Sequence, residues 1–414
     1  MKRLLFLLLT LILAGLFALS MWQDTNREWT AYQRKFLHSL ARDERKGVKT
    51  DVAQILVPEL HRADRCMTCH MAIDKPQLAL AEEPFTAHPG QYLQWHPPER
   101  FGCTVCHGGQ GLATEVKAAH GEVEHWEKPL LRGPLVQASC NKCHGDLKAI
   151  QAHVPQLTAG IRLYQKLGCA GCHAIRGTGQ TVSIDLSEMG DKPWQLLDFT
   201  FVQGEPTLAQ WVAQHFDEPR KITPGFRKQE LPPGEEEIYP TFMPKYGLSE
   251  QEIQALTVYM LSLTEESLPA KYVLPASPPS APPVYASSVD AGRAVFQKLG
   301  CAACHGIEGR GGRQNFNAQL GQEAPSLVFV RDYYDRDTVK DVIRNGRQPV
   351  PRLNTDRSRP PLYMPAWKDR LNETELDALV DYLFSLHDQV IAPVKEAPNA
   401  SSIPPSEPPK PSAS

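Results

Sequence analysis

All ten cysteines of this 414-residue chain fall into C-x-x-C pairs, and a histidine follows each pair at once. The five motifs are Cys66/Cys69/His70, Cys103/Cys106/His107, Cys140/Cys143/His144, Cys169/Cys172/His173 and Cys301/Cys304/His305. A disulfide framework does not place a histidine after every second cysteine, structural zinc needs paired knuckles with a tetrahedral ligand set, and a thioredoxin-like motif occurs once in a βαβ setting. One chemical use remains. In C-x-x-C-H the two thiols add to the vinyl groups of a haem as thioethers, and the adjacent histidine takes the proximal position on the iron. The sequence therefore calls for five covalently attached c-type haems.

The N-terminus limits where such a chain works. Lys2 and Arg3 precede an uncharged run from Leu4 to Trp22. Residues 1–23 read either as a signal peptide cut after Ala18-Leu19-Ser20 or as an uncut signal anchor, and an apolar run of about nineteen residues favours the anchor. Trp22 and Trp29 suit the interface beyond it. In both readings Lys2 and Arg3 stay inside and the remainder is exported. This puts the haem-bearing part on the periplasmic side of a bacterial cytoplasmic membrane, where haem is attached to such motifs. A net charge of -3 gives no basis for a nucleic-acid partner. The acidic cluster Glu235-Glu236-Glu237 reads as a solvated loop.

The fold expected is mainly α with extensive loops. Residues 24–51 carry Trp29, Tyr32, Phe36 and Leu40 at helical spacing, an amphipathic juxtamembrane helix that would pack on the haem region or the membrane surface. His38 lies off that stripe and is expected in solvent. Residues 52–154 hold three motifs in about a hundred residues, so the haems themselves must be the core of a triheme module. Residues 155–264 and 289–390 repeat one another. "YQKLGCAGCHAIRG" and "FQKLGCAACHGIEG" open them on helices expected to be capped by Thr158 and Asp290. Each closes on a Met-Pro loop and an amphipathic helix with a capping box, Ser249 with Glu252 and Asn372 with Glu375. Residues 265–288 read as a Pro/Ser-rich linker and 391–414 as a disordered tail, so that the last module is a tethered head.

A glycine and an aromatic on the opening helix, C-x-x-C-H, Met-Pro and an amphipathic closing helix together resemble class I cytochrome c. The likeness covers about Pro155–Thr264 and Val289–His387. It implies two all-α domains in which Met243 and Met364 are the distal ligands and the terminal helices cross at Gly160, Tyr164, Gly292 and Phe296. Met189 and Met260 are rival sulfurs in the first of these domains. The three N-terminal motifs lack such a methionine, and histidines are the candidates instead: His88, His96, His120 and His125 for three vacant positions, with His61 and His153 in reserve. Three of the four are expected to ligate.

Methionine raises a haem's potential relative to histidine, so a chain ordered this way would run electrons from the anchored end to the tip. The N-terminal pattern "DRCMTCH…HPG…HPPERFGCTVCHGGQG…AHGEVEHW…SCNKCH" resembles membrane-anchored pentahaem c-type cytochromes of bacterial quinol-oxidising respiratory complexes. That resemblance implies integral membrane quinol-oxidising or cytochrome b-type subunits as electron donor. The implied acceptor is a soluble periplasmic cytochrome or a terminal reductase or oxidase. The alternative is a multihaem reductase or peroxidase, which needs one five-coordinate iron with acid-base groups above it. Since every iron has a candidate ligand on each side, single-electron transfer without bond-making catalysis is the stronger reading.

Overall fold

The computed structural model describes residues 2–124, 126–225, 241–274, 283–315, 318–319, 323–348, 350–353 and 361–391. His125, the Glu235–Glu237 cluster, linker residues 275–282 and tail residues 392–414 lie outside the described residues. Helices and loops make up the chain, and the strands among the described residues are one antiparallel pair, β1 (Ile55–Val57) with β2 (Arg62–Asp64), in which Val57 faces Arg62. Two compact units result. One spans residues 1–165 and 172–283, and the other spans 284–414 with the short turn 166–171.

The first helix, α1 (Lys2–Thr25), is 24 residues long, contains an 18-residue stretch with a mean hydropathy of 2.7 and has no buried side chain. At 1.5 Å per residue it reaches about 36 Å, enough for a hydrocarbon core of about 30 Å, and its length and composition suit a membrane anchor. Arg27 is extended and separates it from α2 (Glu28–Ser39). On α2 the apolar stripe meets the haem region. Phe36 is fully buried, with its ring centroid 5.4 Å from that of Phe85. The Gln33 amide donates to the carbonyls of Asp51 (2.7 Å) and Thr68 (3.0 Å). His38 is exposed, as its position on the helix predicts.

The two C-terminal repeats are built alike. In the first, α3 (Pro155–Leu167) crosses α5 (Glu250–Leu261), with α4 (Leu208–Asp217) between them in sequence. The second has α6 (Ser288–Lys298), α7 (Arg336–Asn345) and α8 (Glu373–Ile391) in the same order. A Cβ on Gly160 would run into the Ala255 carbonyl and one on Gly292 into the Ala378 carbonyl, so only glycine lets each helix pair approach this closely. Beside each glycine an aromatic pair locks the crossing: Tyr164 with Tyr259 at 5.5 Å, and Phe296 with Tyr382 at 5.4 Å. Both closing helices begin at the capping boxes read from the sequence, Ser249 with Glu252 and Asn372 with Glu375.

The opening caps differ from expectation. Thr158 lies inside α3, where its hydroxyl donates to the Val154 carbonyl at 3.0 Å. The helix instead starts with Pro155, and the side-chain oxygen of Gln137 accepts from the N–H groups of Gln156 (2.8 Å) and Leu157 (3.3 Å). A distant residue thus does a local cap's work. Ser287 caps α6, and Asp290, one turn in, accepts from the Ser287 hydroxyl at 2.7 Å.

Residues 265–274 also depart from the linker expected there, because they pack on and bond to residues of the region that holds the first three motifs. Glu266 pairs with Arg62 and, at 2.9 Å, with Lys142. Tyr272 is buried against Val57, Leu60 and Val105, and its hydroxyl donates to Glu59 at 2.9 Å. Leu274 N–H donates to the Cys143 carbonyl at 2.7 Å. The end of the fourth-motif domain is in this way stapled back onto the third motif.

Candidate haem-binding centres

Each C-x-x-C-H must present two thiols and one imidazole from a single turn. In four of the five motifs the histidine N–H donates to the carbonyl of the first cysteine at 3.0 Å: His70 to Cys66, His107 to Cys103, His144 to Cys140 and His305 to Cys301. That bond closes one helical turn and puts both cysteines and the histidine on neighbouring positions. All ten cysteines are free and half-buried. Burial pushes the thiols of Cys140, Cys169 and Cys301 up to about 12, the environment of a neutral sulfur and not of a thiolate.

Burial acts on the motif imidazoles as well. Burial lowers the pKa of His70, His107, His144, His173 and His305 and so favours the neutral ring. The Nδ1 of His173 donates to the Ile184 carbonyl at 2.8 Å and that of His305 to the Pro325 carbonyl at 2.9 Å. A weaker contact of 3.4 Å joins His107 Nδ1 to the Leu131 carbonyl. Each such bond fixes the tautomer and leaves Nε2 with its lone pair for a metal.

Across the region of the first three motifs the structure brings together three histidine pairs. The His70 and His120 ring centroids are 6.4 Å apart, those of His107 and His88 6.1 Å, and those of His144 and His96 6.1 Å. Metal–nitrogen bonds of about 2 Å, with each ring centre about 1 Å behind its nitrogen, put two imidazoles on one iron about 6 Å apart. The three separations match that span. The pairing is crosswise: the loop between the first two motifs faces the second and third, and the loop after the second motif faces the first. His61 is exposed in a left-handed turn, and exposed His153 packs against Trp95 at 5.0 Å.

The outer nitrogens of these facing histidines differ in partner. His88 Nδ1 donates to the Pro89 carbonyl (3.0 Å) and His96 Nδ1 to the Tyr92 carbonyl (3.2 Å). His120 Nδ1 instead faces the Arg132 guanidinium at 3.1 Å, and the same nitrogen of Arg132 donates to Glu122 at 2.8 Å.

The motifs are also joined to each other. The Cys66 and Cys103 thiols share a hydrogen bond, so the first two motifs lie side by side. The Ser139 hydroxyl donates to the Cys106 carbonyl at 2.8 Å and ties the third motif to the second. Leu130 N–H donates to the His120 carbonyl (2.8 Å) and Leu131 N–H to the His107 carbonyl (2.7 Å), so one short segment holds histidines of two of these pairs. The sequence reading missed Asp64. Its carboxylate accepts from Thr104 N–H (3.0 Å) and the Thr104 hydroxyl (2.7 Å), and also from Cys103 N–H. No spacing rule could have linked it to a motif 39 residues away.

In the domain of the fourth motif, Tyr164 donates to the His173 carbonyl at 3.0 Å and connects the opening helix to the proximal histidine. Two sealed polar atoms there, Trp194 Nε1 and His215 Nδ1, have no hydrogen-bond partner within the protein. His215 stacks on Trp211 at 4.7 Å, and burial lowers its pKa to about 4. Orphaned donors of this kind fit a domain folded around a carboxylate-bearing group such as haem. Met243 is half-buried, its N–H donating to the Thr241 hydroxyl at 3.1 Å, whereas Met189 and Met260 are core residues. In the last domain Met364 and Cys301 pack against one apolar cluster with Phe296, Leu299 and Trp367.

Residues 157–264 match the family described as cytochrome c, and residues 287–383 the family described as cytochrome c oxidase, cbb3-type, subunit III. A protein of Azospirillum brasilense named "Cbb3-type cytochrome c oxidase subunit CcoP" is 27% identical over 238 residues, 55% of this chain and 61% of that protein. One of the same name from Azospirillum sp. (strain B510) is 26% identical over 239 residues, 55% of this chain and 62% of the relative. The chain therefore spans less than two thirds of the length of these curated relatives. No solved structure matches it. The C-terminal region comprises two cytochrome c domains, which carry covalent c-type haem and transfer electrons.

Proposed function

We propose that the chain is an anchored pentahaem cytochrome that relays single electrons on the periplasmic side of a bacterial cytoplasmic membrane. Each iron would take one electron, passing from ferric to ferrous, and hand it to the next. The observation that carries this reading is the set of three facing imidazole pairs at the span of one iron. On this reading His70 pairs with His120, His107 with His88 and His144 with His96, and His125 has no iron. Met243 opposite His173 and Met364 opposite His305 complete the set. The thioether bonds come from Cys66, Cys69, Cys103, Cys106, Cys140, Cys143, Cys169, Cys172, Cys301 and Cys304.

The direction follows from ligand type, from histidine-ligated haems to methionine-ligated ones. The Gln33 bond into the first motif supports the input end, because it joins that motif to the helix next to the anchor. From the names of the Azospirillum relatives we take a role as subunit of a membrane oxidoreductase complex. Quinol-oxidising or cytochrome b-type subunits would be the donor, and a periplasmic cytochrome or a terminal reductase or oxidase the acceptor. The test is the intact mass of the exported, purified chain together with its oxidised EPR spectrum. Five haems, all low-spin, are expected. Fewer haems, or a high-spin iron that binds cyanide or nitrite, would replace the relay with an enzyme.

A further inference from the structure

Asp64 is only 1% exposed, and the Arg62 guanidinium reaches its carboxylate only through the Thr104 hydroxyl, to which it donates at 3.2 Å, while its other terminal nitrogen pairs with Glu266. Its oxygens are held by the N–H groups of Cys103 and Thr104 and by the Thr104 hydroxyl, all from the turn of the second motif. Gly102 and Gly111 cover it, since a Cβ on either would strike the carboxylate. The residue itself stands two positions before Cys66. One buried carboxylate is thus bonded to the turn of the second motif and stands beside that of the first, where the Cys66 and Cys103 thiols meet. A buried charge supported by hydrogen bonds alone is costly and is offset best by an opposite charge close by.

A ferric porphyrin core carries one net positive charge and its ferrous form none. We infer that Asp64 is the counter-charge for the ferric state of haems 1 and 2 and holds both of their potentials below that of haem 3. The third motif differs in having its charge neutralised: Lys142 lies inside it, between Cys140 and Cys143, with its side chain 15% exposed and its ammonium paired to Glu266. Haems 1 and 2 are thereby set to release an electron toward haem 3, which feeds the methionine-ligated domains. Asp64 is a positioning and field residue, because it reaches the irons only through the attachment turns. The inference rests on the ligand pairs proposed above.

The test is a potentiometric titration of the full-length holoprotein and of Asp64→Asn. Asparagine can keep the packing by accepting both N–H groups on its carbonyl and donating to the Thr104 hydroxyl. The waves are assigned with His120→Ala, His88→Ala and His96→Ala, each of which should turn one iron high-spin. In Asp64→Asn, haems 1 and 2 should move up enough to raise their ferrous-to-ferric ratio about tenfold at a fixed potential, ~59 mV for a one-electron couple. The other three should hold. Thr104→Val, which drops a hydrogen bond but keeps the charge, should leave all five in place. An Asp64→Asn protein with unmoved waves, or a Thr104→Val protein shifted as far, overturns the inference. If Asp64→Asn does not accumulate, the wild-type order decides, and haem 3 at or below haems 1 and 2 overturns it. Failure of the ligand pairs would show separately, as a histidine variant that creates no high-spin iron.

Discussion

Between residues 55 and 150 the buried apolar side chains are Val57, Leu60, Ala72, Ala87, Val105 and Ala138, half of them alanine. The domain from 287 to 383 instead buries Phe296, Leu299, Leu379, Val380, Tyr382 and others around two crossing helices. The first region has facing imidazoles where the second has aliphatic side chains. If the proposed ligand pairs hold, the distance between facing histidines sets the packing of the first region, whereas in the C-terminal domain a glycine at a helix crossing does. On the proposed reading, cofactor and core are nearly one thing in the first and separate things in the second.

Removing haem should therefore break the two regions unequally, and this is the largest effect expected. Cys103→Ala with Cys106→Ala should lose all three N-terminal haems or leave no accumulated protein, because the second motif lies between the first and third and few apolar side chains would replace its haem as their shared core. Cys301→Ala with Cys304→Ala should lose one haem and leave four. Intact mass and protease resistance separate these outcomes, and loss of a single haem in both variants would erase the contrast. Next in size is Met364→His, which should lower one potential by on the order of 0.1 V, within the ~0.8 V that axial ligands span, and leave four unmoved.

Gly292→Ala sharpens the comparison from the other side. Forcing a methyl group into the Ala378 carbonyl should cost about 3 kcal/mol and lower the unfolding midpoint of the C-terminal unit by ~10 °C, with the triheme spectrum unchanged. Calorimetry of the holoprotein reads this directly. The smallest effect is expected at Arg132. Replacing its guanidinium by Gln should lower the potential of haem 1, since His120 would lose a cation at Nδ1 and gain ligand basicity. The side chain is 61% exposed, so solvent and salt screen much of this. An upward shift would contradict it.

The repeated domains were the more legible in the sequence because their cues are local. Helical spacing, Ser249 and Asn372 as caps, and the Gly-x-x-x-aromatic of the opening helices each act within a few residues. Where a local rule was stretched it failed. Thr158 has the chemistry of a cap, but Gln137 supplies the acceptor from an earlier segment. The candidates His88, His96 and His120 could be picked out by type and density, yet their partners could not. His120 faces His70 across 50 residues of loop with no periodicity to fix the chain's path. Asp64 and the packed stretch 265–274 were hidden for the same reason, since burial of a charge or a Tyr272 depends on contacts distant in sequence.

The measurement that tests the account most directly is a potentiometric titration of the whole protein followed by visible absorption and EPR. The account predicts five low-spin irons, with two titrating well above the other three. A high-spin iron in the oxidised protein, or five potentials without that gap, would contradict it.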